Sequence, residues 1–183
     1  RLTAATDVDP LVVWNTGGGL PPGACGIAVG NARNIVIANN QISSLGVVLD
    51  DGTVRLLDAT QAQQSTGIFV RNVSSFSIQN NKVSDIFATD GGDSSLFVFA
   101  RPIRVEAAFA SLGAAGTYFM ENVQITGNTC VGTGTNPAYG QALTDAGIGL
   151  LSSNIADNST ATYGIMRANV SDNQVTKMSI NAS

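Results

Sequence analysis

Histidine is absent from this sequence. That removes Ser-His-Asp and Cys-His nucleophilic systems and every histidine-based zinc site. Two cysteines, Cys25 and Cys130, are too few for an all-cysteine metal cluster. Two acidic runs sit beside glycines, Asp50-Asp51 followed by Gly52, and Asp90-Gly-Gly-Asp93. Asp-Asp-Gly has the composition of a tight turn, and neither run copies an EF-hand loop, so the spacing gives calcium no support. Glycoside hydrolysis needs two carboxyl groups held about 5–9.5 Å apart, and no pair is placed that way by spacing. Arg101 and Arg104 are the only close basic pair, with Glu106 two residues beyond. The reading assigns no catalytic residue, no metal ligands and no cofactor.

The whole-chain totals narrow the class further. At 183 residues, the chain fits one domain on the usual scale of roughly 100–200 residues. Hydrophobic residues make up 44% and charged residues only 12%, with 20 glycines. That charge content is about half the roughly 25% usual in soluble chains. A neutral, Asn-, Ser- and Gly-rich surface suits flat β faces and tight turns better than a helical bundle. A net charge of −4 with scattered basic residues offers no field to gather phosphates, so nucleic-acid binding is excluded. Apolar runs such as Leu96 to Ala100 fall far short of the ~20 residues that span a bilayer. Opening on Arg1 without a leader, the chain reads as a processed or excised piece of a longer precursor. Sequons occur at Asn72, Asn158, Asn169 and Asn181 and matter only if the source glycosylates.

An internal repeat organises the residues. Four segments align on one asparagine: Ile35-Val-Ile-Ala-Asn-Asn40-Gln-Ile42, Phe76-Ser-Ile-Gln-Asn-Asn81-Lys-Val83, Val123-Gln-Ile-Thr-Gly-Asn128-Thr-Cys130 and Ala168-Asn-Val-Ser-Asp-Asn173-Gln-Val175. Apolar side chains recur five and three residues before the anchor and two after it. Period-two alternation marks a half-buried strand. The residue before each anchor is Asn39, Asn80, Gly127 or Asp172. These types tolerate a left-handed backbone. The unit is therefore strand, two-residue bend, strand, with Asn40, Asn81, Asn128 and Asn173 as turn asparagines. An antiparallel hairpin is the competitor, disfavoured by the short second strand and the wide, uneven repeat. A further strand precedes the unit, at Gly26-Ile-Ala-Val29 and Gly67-Ile-Phe-Val70, with Pro102-Ile-Arg-Val105 and Gly147-Ile-Gly-Leu150 matching later.

With these motifs, the chain resembles the right-handed parallel β-helix, or pectin-lyase-like, superfamily over roughly Gly26 to Ile180. The implied fold class is all-β, a solenoid of about four coils with loop insertions. Residues 1–25 form an N-terminal strand and loop segment, and residues 26–183 the β-helix domain. Folds this broad host many activities. The resemblance implies that a polysaccharide lyase would hold calcium with carboxylates on the first-strand face and use a basic residue there. The outward first-strand positions here are Ala28, Phe69, Arg104 and Gly149, so one arginine is present and the carboxylate cluster is not. Phe69, Arg101, Arg104 and Glu106 are the candidate ligand-binding residues, with Phe69 pointing outward beside the long insertions.

Those insertions fall in Val47 to Thr66, Gly91 to Ala100, Glu106 to Gly116 and Ser152 to Ala161, all flanking the first strand. Val54 to Gln64 and Val105 to Leu112 are expected to hold short helices. Thr117-Tyr118 and Thr162-Tyr163 resume the pattern at one shared offset. Phe97 and Phe99 lie in a run apolar on both faces. Cys130 takes an inward core position, two layers from Cys25, so no disulfide joins them. Arg1 to Leu20, interrupted by Pro10, does not resemble the amphipathic helix that caps such stacks, and Val175 to Ile180 stays strand-like. Uncapped ends imply either a piece cut from a longer β-helix or ends that meet other subunits. The expectation is a non-catalytic extracellular, cell-surface or virion-surface structural or adhesive module. It would self-associate as filament, fibre or spike and could take a polysaccharide. A polysaccharide lyase or hydrolase, or a phage tailspike fragment, is the alternative.

Overall fold

The computed structural model describes residues 22–30, 32–45, 47–50, 53–56, 62–86, 89–90, 100–109, 117–132, 147–154 and 162–176. Arg1 to Leu20, the run through Phe97 and Phe99, Asp51, Asp93, Asp145, and the sequons at Asn158 and Asn181 lie outside them. Among the described residues the structure is all-β, and its chain makes one circuit four times. The first circuit is β1 (Pro22–Gly30), β2 (Arg33–Ala38) and β3 (Gln41–Ile42). A hairpin of β4 (Val47–Asp50) and β5 (Thr53–Leu56) follows. The second circuit is β6 (Ala62–Arg71), β7 (Ser74–Gln79) and β8 (Lys82–Ser84), followed by the short β9 (Thr89–Asp90). The third is β10 (Ala100–Phe109), β11 (Thr117–Thr126) and β12 (Thr129–Val131). The fourth is β13 (Ile148–Asn154), β14 (Thr162–Ser171) and β15 (Gln174–Thr176).

Like strands stack on like. The first sheet runs β1-β6-β10-β13, the second β2-β7-β11-β14 and the third β3-β8-β12-β15. Every pairing along these three orders is parallel. Three parallel sheets visited in turn are consistent with a β-solenoid, and they exclude hairpins at the asparagine units. Among the described strands only β4 with β5 and β9 with β6 pair antiparallel.

Register follows the apolar pattern. Ile27, Ile68, Ile103 and Ile148 align in the first sheet. Ile37, Ile78, Ile125 and Val170 align in the second, and Ile42, Val83, Cys130 and Val175 in the third. Ile68, Ile78, Ile103, Ile125 and Cys130 are fully buried in one continuous core. Each large aliphatic removed from water contributes about 1.5–3 kcal/mol. A slip of one residue would turn every such side chain outward. Thr117 pairs with Thr162 and Tyr118 with Tyr163, as their shared offset requires.

The bends between second and third sheets use the left-handed backbone expected there, with φ of 58° at Asn39, 52° at Asn80, 66° at Gly127 and 58° at Asp172. A second left-handed column enters the second sheet at Asn34, Ser75, Asn122 and Arg167, with φ between 54° and 56°. Ser75 and Arg167 gave no signal of it. Their conformation is imposed by the neighbours stacked on them, at a cost of about 1–2 kcal/mol for each such residue.

Two expectations are corrected. Val54 to Gln64 is not helical where it is described: Val54 pairs with Leu49 in the hairpin, and Ala62–Gln64 opens β6. Val105 to Phe109 is likewise strand, paired through Phe109 with β13. In both places an adjacent strand supplies backbone partners to the described residues, which outweighs a weak helical propensity. Glu106–Phe109 and Ser152–Asn154, expected as insertions, therefore extend the first sheet.

Glycine begins the first strand for a packing reason. A Cβ at Gly26, Gly67 or Gly147 would lie 2.7, 2.3 or 2.4 Å from Ile42, Val83 or Val175 of the same circuit. The third circuit carries Pro102 there, in register with Gly67, opposite Cys130, which is smaller than its three counterparts. Gly67→Ala is expected to destabilise by about 1–3 kcal/mol through overpacking. Adding Val83→Ala should recover only part, because the new Cβ also meets the Pro102 carbonyl oxygen at 2.5 Å. Urea unfolding midpoints of the single and double variants check this.

Candidate functional site

The outer face of the first sheet gathers the chemistry-bearing residues. Two columns run across its circuits: Ala28, Phe69, Arg104, Gly149 and Gly30, Arg71, Glu106, Leu151. Large groups thus occupy the middle circuits, lying in the first column between Ala28 and Gly149. The Arg104 guanidinium carbon sits 5.4 Å from the centroid of the Phe69 ring, a cation–π contact. Arg104 Nη2 donates to Glu106 Oε2 at 3.2 Å. The Cδ of Arg101 lies 3.7 Å from where a Gly149 Cβ would stand. Phe69, Arg101, Arg104 and Glu106 therefore do share one face.

Their accessibility differs from the expected one. Phe69 faces outward by register yet is only 3% exposed, and it lies outside the core cluster. Glu106 is buried as well, leaving Arg101 and Arg104 half-buried. Phe69 is a covered ring holding Arg104 from below, not a platform open to a ligand. Sequence reasoning missed Arg71, which opposes Glu106 in the ladder. Its position two residues after Phe69 was the available signal. Arg71 is buried, and its Nη2 has no hydrogen-bond partner. Burial lowers its pKa from the ordinary arginine value, and the nearby Glu106 carboxylate opposes that shift. The face holds charge in a low-dielectric setting. Among the described residues no group of three or more Cys, Asp or Glu could hold a metal.

The four turn asparagines form a second constellation, at the bend between second and third sheets. Asn40 donates to Asn81 Oδ1 from its backbone N at 3.0 Å and from Nδ2 at 2.9 Å. Asn81 donates in the same two ways to Asn128 Oδ1, at 2.9 and 3.0 Å. Asn128 does so to Asn173 Oδ1, both at 2.9 Å. Each amide also reaches back to a strand carbonyl one circuit earlier: Asn81 Nδ2 to Ile37 O, Asn128 Nδ2 to Ile78 O, Asn173 Nδ2 to Ile125 O. Asn81 and Asn128 are buried with their side-chain amides engaged on both sides. Residue type and spacing point to turns here; the role is an amide ladder that runs through all four described circuits.

Cys25 and Cys130 are free thiols in the first and third circuits. Burial pushes each thiol up to about 12, from the ordinary 9.0. Cys25 keeps a weak bond from Sγ to Ile27 O. Neither is a thiolate nucleophile at neutral pH.

No protein-family model, curated protein or solved structure matches this chain.

Replacing Asn128 by Ala would strand the Asn81 donors and the Ile78 carbonyl in the core. An unsatisfied buried group costs about 1–3 kcal/mol, so Asn128→Ala should lose more stability in urea unfolding than Asn40→Ala. The thiols set an alkaline limit. Between pH 9 and about 12 the unfolded chain releases protons that the folded chain keeps, so stability falls as pH rises through that window. Replacing both cysteines by Ser should flatten this part of the unfolding-versus-pH profile.

Proposed function

We propose that the chain is a non-catalytic structural or adhesive module, a right-handed parallel β-helix of the pectin-lyase-like kind. It acts outside the cytoplasm, at a cell or virion surface, and associates with further copies of itself. One observation carries the reading. Inward-facing residues of all three sheets are exposed on the fourth circuit, at Leu150, Val170 and Val175, while their third-circuit counterparts Val105, Ile125 and Cys130 are fully buried. Exposed apolar side chains of this size favour burial against a further surface. The sparse charge and neutral polar faces support a scaffold over a reaction centre.

The outer face of the first sheet favours a second reading, a site for an acidic polysaccharide in a binding module or a carbohydrate-active enzyme. Arg71, Arg101 and Arg104 bring three of the nine basic residues to that face. Calcium would enter only on this reading.

Light scattering and sedimentation across a wide concentration range test the first reading, which predicts a mass above that of the monomer that rises with concentration. A strictly monomeric protein would sink it. Screening acidic polysaccharides with and without calcium tests the second. It predicts binding or turnover that Arg104→Ala weakens at least tenfold, and no binding to any of them ends it.

A further inference from the structure

We infer that the outer face of the first sheet holds a small inorganic anion of the size of chloride, bound by the Arg71 guanidinium between Gly30 and Glu106. The inference needs neither self-association nor a polysaccharide, and it stands apart from both readings above. It begins from Arg71 itself. The residue is 6% exposed, and its Nη2, with essentially no surface open to water, has no hydrogen-bond partner. Arginine does not relieve burial by giving up its proton, because its pKa lies far above neutral pH. The charge therefore persists and has to be compensated where it stands. A buried charge left uncompensated is among the most costly features a fold can carry.

The described groups around Arg71 do not supply that compensation. In the ladder Arg71 lies between Gly30 and Glu106. Burial pulls the Arg71 pKa down, and the Glu106 carboxylate opposes this only in part. Glu106 Oε2 instead accepts from Arg104 Nη2, at 3.2 Å. Across β1, β6, β10 and β13 the charged residues are Arg71, Arg101, Arg104 and Glu106, a surplus of two positive charges. On the other side Gly30 brings no side chain. A Cβ built there would meet, among the described atoms, only the Arg71 carbonyl oxygen, at 3.7 Å.

The class of ligand follows from charge and access. A water molecule would satisfy the N–H but leave the surplus charge in place. An anion does both. Phe69 at 3% and Glu106 at 4% exposure close the surroundings of Arg71 to a polymer or a bulky organic acid. A compact halide accepts N–H donors from any direction and needs no donor of its own to be satisfied.

Urea unfolding of the intact chain at fixed sodium concentration and ionic strength, with chloride replacing gluconate, tests the site. Gluconate is the bulky reference anion. An ion bound by the folded state alone raises stability as its concentration rises. Arg71→Met keeps the length of the side chain and deletes its charge. Arg33→Met, the control, removes an exposed arginine from β2. Circular dichroism checks that each variant is folded. The expected result is a wild-type midpoint that rises with chloride. Chloride affinity should weaken at least tenfold in Arg71→Met, tighten at least threefold in Glu106→Gln, and stay unchanged in Arg33→Met. Equal wild-type midpoints in chloride and gluconate overturn the ion and assign the compensating charge to an acidic side chain of the protein. Chloride dependence that survives Arg71→Met overturns the site. Should Arg71→Met fail to fold, Glu106→Gln decides in its place, and an affinity that it leaves unchanged overturns the site equally.

Discussion

The amide ladder through Asn40, Asn81, Asn128 and Asn173 is the constraint on which the rest depends. Turning a strand through a corner leaves backbone groups that neither adjoining sheet can satisfy, and inside a stack no water can reach them. The asparagine side chain is short, carries both donor and acceptor, and can repeat at one position per circuit. Its oxygen takes two donors from one neighbouring circuit while its nitrogen reaches a strand carbonyl of that same neighbour. Backbone bonds continue on both sides of the corner, from Lys82 N to Asn40 O and from Asn80 N to Thr126 O. The corner is thereby fixed in height and rotation. Once it is fixed, the alternation of Ile37, Ile78 and Ile125 on one side and Ile42, Val83 and Cys130 on the other has only one way to face.

Much of this was legible in the residues. The anchors, the inward positions, the three strands of each circuit and the left-handed bends at Asn39, Asn80, Gly127 and Asp172 are local consequences of side-chain type and period. What was not legible depends on neighbours that are distant in sequence. Ser75 and Arg167 adopt positive φ because of what stacks on them. Val105 to Phe109 is strand because β6 and β13 flank it, although the same residues allow a helix. Period-two alternation put Phe69 outward, correctly, but alternation does not reveal what lies over a side chain. The ring is covered, and Arg71 beside it was passed over because a single arginine at a strand end has no pattern of its own.

The outer face of the first sheet and the fourth circuit show two departures from a plain apolar-in, polar-out stack. On the outer face, guanidinium groups are drawn out of water beside one buried carboxylate, Glu106, an arrangement that is costly to assemble and strongly coupled once formed. On the fourth circuit, the departure is apolar. Leu150, Val170 and Val175 continue columns whose third-circuit members, Val105, Ile125 and Cys130, are fully buried. The first kind of feature holds charge in a low-dielectric setting, the second leaves aliphatic side chains in contact with water.

The chain separating successive rungs of the ladder spans 41, 47 and 45 residues, yet the rungs themselves are alike. Height along the axis is set by amide contacts, so the polypeptide between them is slack in length. Segments emerging between circuits can therefore lengthen, shorten or change composition without altering the pitch. Closing a longer loop adds only about 0.6 kcal/mol per doubling. The asparagines act as a metronome for the architecture, and the intervening sequence is free to diversify to the beat that they keep.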